Sequence, residues 1–485
     1  MSSLVRRTRI VCTIGPSSSS PRVLRAMVLA GMDVARLNFS HGDADTHRQA
    51  AANARAAAEE VGRPIALLGD LQGPKIRTGS LDGGFQRLLR GRTVVLLSEG
   101  PIDAQSTTSG HLPPNGQATS ITVSHPELIH ALRKGDRVLL DDGRIELAVR
   151  STGDGHAEST VVRGGLLGER KGVSVPGRPI PLPALTAKDL EDMKLAVELG
   201  VDYLALSFVR RPEDVVVCQE HLGGLGCKTP VIAKLEKLEA IRQLGKILEV
   251  ADAVMVARGD LGVELKLGDL PAVQKDVIDR ANRAGVPVIT ATEMLESMVT
   301  SNRPTRAEAS DVANAIWDGT DAVMLSQETS VGAHPVEAVR AMARICLSAQ
   351  RHPDYERARQ IWREPGQIGS AIAHAAANTA DELGARVIIA FTESGTTALR
   401  CSKARPRMPV IAASPHPSVL RRTALYSGVV PLLVLPGGDT DQMIENATEA
   451  ARQSDMVRTG DRVVIVAGVP VGRPGQTNLL KVETV

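Results

Sequence analysis

The sequence contains very few aromatic side chains, because only 2% of its 485 residues are Phe, Tyr or Trp. A core with this composition must be filled mainly by Ala, Val, Leu and Ile. Apolar residues reach 43% and charged residues 23%, proportions that are normal for a folded globular protein and exclude wholesale disorder. The chain is too long for one ordinary domain, so we expect roughly two to four units.

Cysteine, unbalanced charge and long apolar runs are also scarce. The five cysteines are scattered and never form a CxxC pair, which favours a reduced, cytoplasmic setting over a disulfide framework or a zinc site. A formal net charge of +2 gives no electrostatic reason to expect nucleic acid or a membrane surface as a partner. No apolar run approaches the length of a membrane span. We therefore expect a soluble protein.

Eight short runs rich in β-branched residues alternate with longer Ala-rich stretches, a pattern typical of a parallel α/β fold. The runs begin at Arg9, Val34, Ile65, Tyr203, Val231, Ala253, Val286 and Ala322. Amphipathic helices separate most of them, for example Pro21 to Ala30 and Leu270 to Ala284. Eight strands that alternate with helices in this way predict a (β/α)8 TIM barrel.

The alternation of strands and helices is interrupted once, between the third and fourth strands. Residues 79–172 are rich in Gly and Thr and carry several short strand-like runs, which predicts a small inserted β-barrel domain that acts as a lid. The barrel then comprises residues 1–78 and 173–350. A Pro- and Gly-containing linker leads to a third unit, residues 351–485, which begins with a helix from Ile368 to Leu383. We expect this unit to be an open α/β sandwich.

Charged and hydroxyl side chains crowd the carboxyl ends of five barrel strands, where the working residues of such barrels lie. Arg36, Asn38 and Ser40 recur every two residues and so share one face of a strand. Lys234 and Glu236 have the same spacing. The other strand-end candidates are Asp70, Lys75, Arg77, Asp260 and Thr292. One such residue alone is ordinarily a solvated or capping group. Burying this whole ring of charged side chains around the barrel mouth without a ligand would be costly.

The charges indicate what this ring binds. Carboxylates such as Glu236 and Asp260 suit Mg2+, with Mn2+ as a possible substitute, because Mg2+ takes one or two carboxylates and completes its shell with water and substrate oxygens. The cations Arg36, Arg77 and Lys234 suit phosphate. The sequence has neither a GxxxxGK[ST] motif nor the HRD and DFG motifs, so neither common nucleotide-binding design applies. Spacing alone therefore predicts a magnesium site and a phosphorylated anion.

Two other functions stay open on these observations. A Mg2+-dependent lyase or aldolase acting on a 2-keto acid would retain both carboxylates but leave the three cations unexplained. A barrel that has lost its chemistry and only senses metabolites through its third unit is disfavoured by the intact Lys234, Glu236 and Asp260. Coupled detection of ATP separates phosphoryl transfer from the lyase or aldolase.

Long motifs across nearly the whole chain resemble those of the pyruvate kinase family, and they occur in the family order. They include GMDVARLNFSHG, GDLQGPKIRTG, VARGDLGVE, and ATEMLESM followed by RPTRAEASDVANA. The resemblance implies transfer of the phosphoryl group of phosphoenolpyruvate to ADP, giving pyruvate and ATP, the last step of glycolysis. It also implies Mg2+ as cofactor, a homotetramer, and allosteric activation by a phosphorylated metabolite.

The resemblance assigns roles to individual residues. The implied catalytic residues are Lys234, Arg36, Arg77 and Thr292, and the implied metal ligands are Glu236 and Asp260. Substrate contacts are implied for Arg36, Ser207, Phe208, Ala257, Arg258, Gly259, Asp260 and Thr292. Nucleotide contacts are implied for Asn38, His41, Arg77 and Lys171. Asp142 of the lid is either a closure contact or simply a turn-forming residue before Gly143.

One departure from the family concerns the monovalent cation, usually K+, that many members use. The resemblance places that ion beside Asn38, Ser40, Asp70 and the backbone of Leu71. Lys75 stands where many members have glutamate, so its tethered ammonium would occupy the region of the free ion. We therefore predict that K+ is not required, the alternative being a Lys75 side chain that merely faces solvent.

The third unit resembles the effector domain of the family. Its TESGTT segment, Thr392 to Thr397, joins a strand to a helix and offers hydroxyls and backbone N–H groups for phosphate. The expected effector-binding residues are Thr392, Ser394, Gly395, Thr396 and Thr397; an ordinary N-cap is the alternative. Glu393, within this segment, places a negative charge beside the expected phosphate site, which favours a sugar monophosphate or AMP over a bisphosphate. Arg473 is a further phosphate candidate.

Overall fold

The structure is a computed structural model that describes residues 5–98, 119–358, 366–470 and 476–485. Its strands are β1 Arg9–Thr13, β2 Val34–Asn38, β3 Ala66–Asp70, β4 Phe85–Leu88, β5 Thr93–Ser98, β6 Thr119–Val123, β7 Arg137–Leu140, β8 Ile145–Gly153, β9 His156–Arg163, β10 Gly165–Gly168, β11 Val173–Ser174, β12 Tyr203–Leu206, β13 Val231–Leu235, β14 Ala253–Ala257, β15 Val288–Ala291, β16 Ala322–Leu325, β17 Val387–Phe391, β18 Val410–Ser414, β19 Val429–Leu433, β20 Arg462–Ala467 and β21 Leu479–Thr484.

The α-helices are α1 Pro21–Ala30, α2 Ala44–Val61, α3 Pro126–Ala131, α4 Ala187–Glu198, α5 Pro212–Gly224, α6 Leu238–Arg242, α7 Leu244–Val250, α8 Arg258–Glu264, α9 Leu270–Arg283, α10 Arg306–Trp317, α11 Gln327–Ser330, α12 Pro335–Gln350, α13 Pro353–Ala358, α14 Ile368–Leu383, α15 Thr396–Lys403, α16 Pro417–Thr423 and α17 Thr440–Gln453. Short 3-10 helices lie at Asp82–Gly84, Leu267–Asp269 and Glu296–Val299. None of the described helices is both long and apolar enough to cross a bilayer.

The predicted TIM barrel is confirmed. Eight strands close on themselves in the order β1-β16-β15-β14-β13-β12-β3-β2, and every neighbouring pair is parallel. All eight runs identified in the sequence supply one barrel strand each. The parallel arrangement brings the carboxyl ends of all eight strands to one mouth of the barrel.

Capping residues explain why the barrel helices start and stop where they do. The Thr186 hydroxyl and the Asp189 carboxylate cap the start of α4 reciprocally. Helix α9 ends at Arg283, and Gly285 just beyond it has a φ of 71°, a conformation that glycine adopts without the steric cost of a Cβ. The predicted end of this helix, at Ala284, is therefore correct to one residue.

The segment between β3 and β12 forms a separate β unit, called the lid. Its described strands pair in a six-stranded sheet of order β11-β7-β8-β9-β5-β6 and a two-stranded sheet, β10-β4. The lid has its own apolar core, built from residues such as Val94, Ile121 and Leu147. Because β11 pairs with β7, the lid sheet extends through Ser174, two residues beyond the boundary predicted at residue 172. A β-bridge between Arg77 and Gly172 joins the two lid connections.

The third unit is an open α/β sandwich, as predicted. Its sheet has the order β19-β18-β17-β20-β21, with β21 antiparallel to β20 and the other pairs parallel. Helix α14 spans Ile368–Leu383, the bounds expected from the sequence. One face of the sheet packs in a core with α14 and α15, and the other in a core with α17.

The third unit covers the amino end of the barrel. Asp321, just before β16, lies 2.7 Å from Lys403 Nζ and 2.9 Å from Arg405 Nη2. The Tyr203 hydroxyl, at the start of β12, donates to the Arg422 carbonyl at 2.8 Å. The carboxyl end of the barrel therefore lies away from the third unit. At that end, a cavity between lid and barrel is lined by Asp142 of the lid and Asp260 of the barrel, among others.

Candidate active site

Lys234 lies at the centre of the side chains gathered at the barrel mouth. Its ammonium nitrogen is 3.0 Å from Glu236 Oε1 and 3.2 Å from Asp70 Oδ1. It also donates a hydrogen bond of 2.7 Å to Ser207 Oγ, and that hydroxyl in turn donates to the Leu71 carbonyl at 2.7 Å. Strands β3, β12 and β13 thus bring together four residues that the sequence analysis assigned to the site, with Leu71 behind them.

Arg36 joins the same group through Asp70. Its Nε donates to Asp70 Oδ2 at 2.6 Å, and its Nη1 donates to Thr13 Oγ1 at 2.9 Å. Burial alone would raise the pKa of Asp70, but the charges of Lys234 and Arg36 outweigh burial and hold it below its usual value. Asp70 therefore stays ionised and orients both cations, a role that sequence reasoning missed because it considered Asp70 only for a monovalent ion.

The negative charges of the Glu236 and Asp260 carboxylates are only partly compensated by nearby cations. Glu236 is 1% exposed, and its Oε2 accepts a hydrogen bond of 2.7 Å from the Phe208 N–H. Burial raises the pKa of Glu236, the Lys234 ammonium opposes this, and the charge of Asp260 raises the pKa further. On balance the pKa of Glu236 lies above its usual value, which indicates a site short of positive charge.

This donor set fits a hard divalent cation. Mg2+ binds through one or two carboxylates and takes its remaining oxygens from water and substrate phosphate. A divalent ion beside Glu236 and Asp260 would also supply the missing positive charge. Within the described residues no three His, Cys, Asp or Glu side chains cluster as a closed metal cage would require, so these carboxylates suit Mg2+ better than a structural zinc ion.

Lys75 lies beside Asp260 at the barrel mouth. Its ammonium nitrogen is 3.4 Å from Asp260 Oδ1, whereas the cations in contact with Asp70 are Arg36 and Lys234. Lys75 thus contributes a positive charge to the mouth of the barrel through Asp260, a different contact from the one expected beside Asp70.

The turn after β14 is held by Thr292. Helix α8 starts at Arg258 directly after Ala257, and the Gly259 N–H donates to Thr292 Oγ1 at 2.8 Å. The Thr292 hydroxyl donates to the Ala291 carbonyl at 2.7 Å. Thr292 therefore contacts the backbone of Gly259, and these two expected substrate contacts lie side by side.

The Arg258 side chain clamps the loop that carries Thr292. The side chain is only 8% exposed, and its guanidinium donates to the carbonyls of Thr292 at 2.7 Å and Glu293 at 3.2 Å and pairs with Asp311 at 2.6 Å. Thr292 and Glu293 have φ values of 67° and 54°, and such left-handed backbone is strained for residues other than glycine. Arg258 and Asp311 thus hold Thr292 in place. No sequence pattern pointed to Asp311.

Phe208 is a second strained residue at the mouth, with a φ of 55°. Its ring lies 5.8 Å from the Lys237 ammonium, and its N–H binds Glu236. A Cβ on Gly73 would come within 2.9 Å of both Ser207 and Phe208, so the close approach of these two strand ends requires glycine at position 73.

The residues expected to bind nucleotide lie around this centre and do not all join it. Asn38 Oδ1 accepts from the Ser40 N–H at 3.2 Å, and His41 is exposed beside them. Arg77 Nη1 donates to the Arg170 carbonyl at 3.1 Å, and Lys171 Nζ lies 3.2 Å from Asp141 Oδ1. Arg77 and Lys171 therefore occupy the hinge of the lid.

The expected effector segment forms a compact turn before α15. The Gly395 N–H donates to Thr392 Oγ1 at 2.8 Å, and the hydroxyls of Ser394 and Thr396 lie 2.9 Å apart. Thr397 is buried, and its hydroxyl is 3.0 Å from that of Thr477. Glu393 Oε2, within the segment, lies 2.8 Å from His416 Nε2. Arg473 lies outside the described residues.

Sequence comparisons give the same assignment for both large units. The family model described as "Pyruvate kinase, barrel domain" matches residues 5–339, and "Pyruvate kinase, alpha/beta domain" matches residues 370–483. A pyruvate kinase of Mycobacterium tuberculosis is 44% identical, covering 99% of both chains. Pyruvate kinase 2 of Synechocystis is 45% identical over 100% of this chain and 80% of its own. For the Geobacillus stearothermophilus pyruvate kinase the identity is 44%, over 99% of this chain and 80% of its own. The chain therefore belongs to the pyruvate kinase family.

Proposed function

We propose that this protein transfers the phosphoryl group of phosphoenolpyruvate to ADP, giving pyruvate and ATP. The observation that carries the proposal is the position of Lys234, whose ammonium lies within 3.2 Å of both Asp70 and Glu236 at the barrel mouth. Phosphoryl transfer depends mainly on positioned positive charge around the migrating group. The full-length relatives that carry the name pyruvate kinase support the same activity.

Each side chain has a distinct part in this proposal. Lys234 and Arg36 offer positive charge to the phosphoryl oxygens, and Asp70 keeps both cations oriented. Ser207 and Phe208 line the pocket, and the backbone from Ala257 to Gly259 receives the substrate carboxylate at the start of α8. Thr292 holds the proton that converts enolpyruvate into pyruvate and delivers it through water, because a hydroxyl is a poor acid by itself.

Glu236 and Asp260 are the proposed ligands of Mg2+, which Mn2+ can replace. The bound ion would neutralise charge on the phosphate oxygens. Arg77 and Lys171 at the lid hinge, with Asn38 and His41 on the barrel, are the proposed contacts of the nucleotide. Asp142 lines the cavity between lid and barrel and is proposed to form a contact that closes the lid.

A coupled assay that detects pyruvate and ATP tests this function. The protein should form both products in equal amounts from phosphoenolpyruvate and ADP, and only when Mg2+ or Mn2+ is present. A protein that cleaves a 2-keto acid without making ATP would instead be a lyase or aldolase, and the proposal would be wrong.

The enzyme is further proposed to work without K+. Lys75 replaces a glutamate of many family members and brings a tethered ammonium to the barrel mouth, 3.4 Å from Asp260. Replacing K+ by a bulky, inert cation should leave the rate within about twofold, while Lys75→Glu should make the rate dependent on K+, since it restores the negative charge that a free cation would offset. A collapse of the rate of the unchanged protein without K+ would reject this proposal.

The proposed binding site of a sugar monophosphate or AMP consists of Thr392, Ser394, Gly395, Thr396 and Thr397. The hydroxyls and N–H groups of this turn suit a phosphate at the start of α15. Either effector should lower the phosphoenolpyruvate concentration at half-maximal rate, and Thr396→Val should abolish the shift. Activation by a bisphosphate alone would contradict the proposed ligand class.

We also propose a cytoplasmic homotetramer. Light scattering on the purified protein, which measures the mass of the assembly, tests the oligomeric state.

A further inference from the structure

The two proposed metal ligands lie on different elements of the barrel mouth. Glu236 directly follows β13, and Asp260 is the third residue of α8. Both oxygens of Glu236 are held in place, because Oε1 lies 3.0 Å from the Lys234 ammonium and Oε2 accepts from the Phe208 N–H at 2.7 Å. The geometry of the site therefore depends on where α8 places Asp260 relative to a fixed Glu236.

The Asp260 side chain is anchored less firmly than that of Glu236. It is 35% exposed, and its Oδ1 lies 3.4 Å from the Lys75 ammonium, which is longer than a typical N–H···O hydrogen bond. An exposed contact of this length does little to fix a side chain. The position of this carboxylate is therefore set mainly by the backbone of α8.

Helix α8 is attached to the rest of the barrel near both of its ends. At the start, the Gly259 N–H donates to Thr292 Oγ1 at 2.8 Å. At the end, the Lys237 ammonium donates to Glu264 Oε1 at 2.5 Å. Asp260 lies between these two attachments, so removing either one loosens the helix that carries it.

The Lys237–Glu264 ion pair is largely shielded from water. The Glu264 side chain is 3% exposed and the Lys237 side chain 24%, and a pair buried in this way is screened much less than one on the surface. The Lys237 ammonium also lies 5.8 Å from the centre of the Phe208 ring, and the N–H of Phe208 holds Glu236. Lys237 therefore supports the Glu236 side of the site as well as the α8 side.

The ion pair is also close in sequence to both metal ligands. Lys237 directly follows Glu236, and Glu264 follows Asp260 by four residues, about one turn of a helix. The pair therefore ties the end of β13 to α8 beside the two carboxylates. Because Mg2+ requires nearly ideal octahedral geometry, a tie that fixes the separation of its carboxylates bears on its affinity.

We propose that Lys237 and Glu264 are positioning residues of the metal site, whose ion pair fixes the separation of the Glu236 and Asp260 carboxylates. Neither residue is itself a ligand of the ion, so both act through the two carboxylates. The inference rests on the proposed function, because it requires the divalent ion to bind at Glu236 and Asp260.

Mg2+ binding to the full-length protein without substrate, measured by isothermal titration calorimetry, tests the proposal. Lys237→Met removes a positive charge near the ion, and Glu264→Gln removes a negative one. Attraction through space alone would tighten Mg2+ binding by the first variant and weaken binding by the second. Positioning predicts that the Kd rises in both variants, by about tenfold, the lower end of the cost of losing an outer-shell partner.

The double variant Lys237→Met with Glu264→Gln is the sharpest test, because it leaves the net charge unchanged and no charge of the pair buried alone. Its Kd for Mg2+ should also rise about tenfold, since all three variants lose the same contact. Its Kd for Ca2+ should rise less than about threefold, because Ca2+ accepts flexible coordination. A general collapse of the site would instead weaken both ions equally and overturn the proposal.

Two further variants serve as controls. Lys237→Arg keeps the ion pair, and its Kd for Mg2+ should stay within about twofold of that of the unchanged protein. Lys266→Met makes the same change of charge as Lys237→Met, but at an exposed position just beyond the end of α8. Its Kd should not rise.

Tighter Mg2+ binding by Lys237→Met, or an unchanged Kd in the double variant, would overturn the proposal. Asp260→Asn separates this failure from a failure of the proposed function. If Asp260→Asn abolishes Mg2+ binding while the double variant binds normally, only the role of the ion pair is wrong. If Asp260→Asn binds Mg2+ as well as the unchanged protein does, the metal site and the inference that rests on it both fail.

Discussion

Both ends of the barrel carry buried carboxylates beside cations, but the cations compensate the negative charge to different extents. At the amino end, Asp321 is buried against Lys403 and Arg405 of the third unit, at 2.7 and 2.9 Å. Burial would raise the pKa of Asp321, yet Arg405 and Lys403 outweigh it and hold the pKa below its usual value. At the carboxyl end, the pKa of Glu236 stays above its usual value despite the Lys234 ammonium 3.0 Å away.

This difference separates structural charges from charges that serve a ligand. A buried carboxylate matched by cations of the same chain stabilises the folded state only while all its partners are present. A carboxylate left short of positive charge destabilises the folded protein slightly and binds a cation when one is supplied. The amino end therefore joins two domains, and the carboxyl end is the proposed site of metal and substrate.

Replacing Lys234 by methionine should produce the largest effect. The variant loses the central positive charge, so we expect kcat to fall about a thousandfold or more, the effect typical of a positive side chain that stabilises phosphoryl transfer. The thermal midpoint should fall as well, because the buried Glu236 carboxylate loses its ammonium partner 3.0 Å away. Steady-state kinetics and thermal unfolding check both statements. Lys194→Met, on the exposed face of α4, is the control and should retain kcat.

Asp321→Asn, at the other end of the barrel, should lower stability without a large change in kcat. It leaves Lys403 and Arg405 buried without their carboxylate, so we expect unfolding to become easier by about 3–5 kcal/mol. The kcat of the folded variant at low temperature should stay within about twofold. Denaturant unfolding measures the loss, with the exposed Asp276→Asn as the control. A normal stability for Asp321→Asn would mean that the two ends do not differ as described.

A smaller effect is expected from Asp311→Asn, which weakens the clamp on Thr292. Arg258 would keep its bonds to the two carbonyls but lose its charged partner. We expect kcat to fall about three- to tenfold, since small misplacements of a reacting group are costly. Exchange of the pyruvate methyl protons with deuterated solvent should slow by the same factor. A lowered thermal midpoint with normal exchange would reduce Asp311 to a structural role.

The smallest expected difference between the two ends of the barrel is in their pH dependence. The pKa of Glu236 is raised, so acidification protonates it at a higher pH than an ordinary glutamate, and the apparent Mg2+ affinity should fall there because ligands must be deprotonated. The pKa of Asp321 is lowered, so the stability it contributes is lost only below the usual aspartate range. Metal titrations and thermal unfolding from neutral to acid pH should therefore show affinity failing before stability. Simultaneous failure would contradict the assignment.

Periodicity and strand-end chemistry predicted the barrel, its eight strands and the central residues Lys234, Glu236 and Asp260. These features depend on local sequence and on a topology that brings all carboxyl ends together. The sequence did not predict that Asp70 orients Arg36, or that Asp311 supports Arg258. Such contacts join residues far apart in the chain, and no local pattern reports them. The contact between Lys75 and Asp260 was missed for the same reason.

Crystals containing Mn2+, examined by anomalous scattering, test the central claim most directly. The account predicts one strong peak bound by the carboxylates of Glu236 and Asp260, about 2.2 Å from their oxygens, with the Lys234 ammonium beside it. A peak elsewhere, or a Lys234 side chain turned away from the ion, would contradict the account.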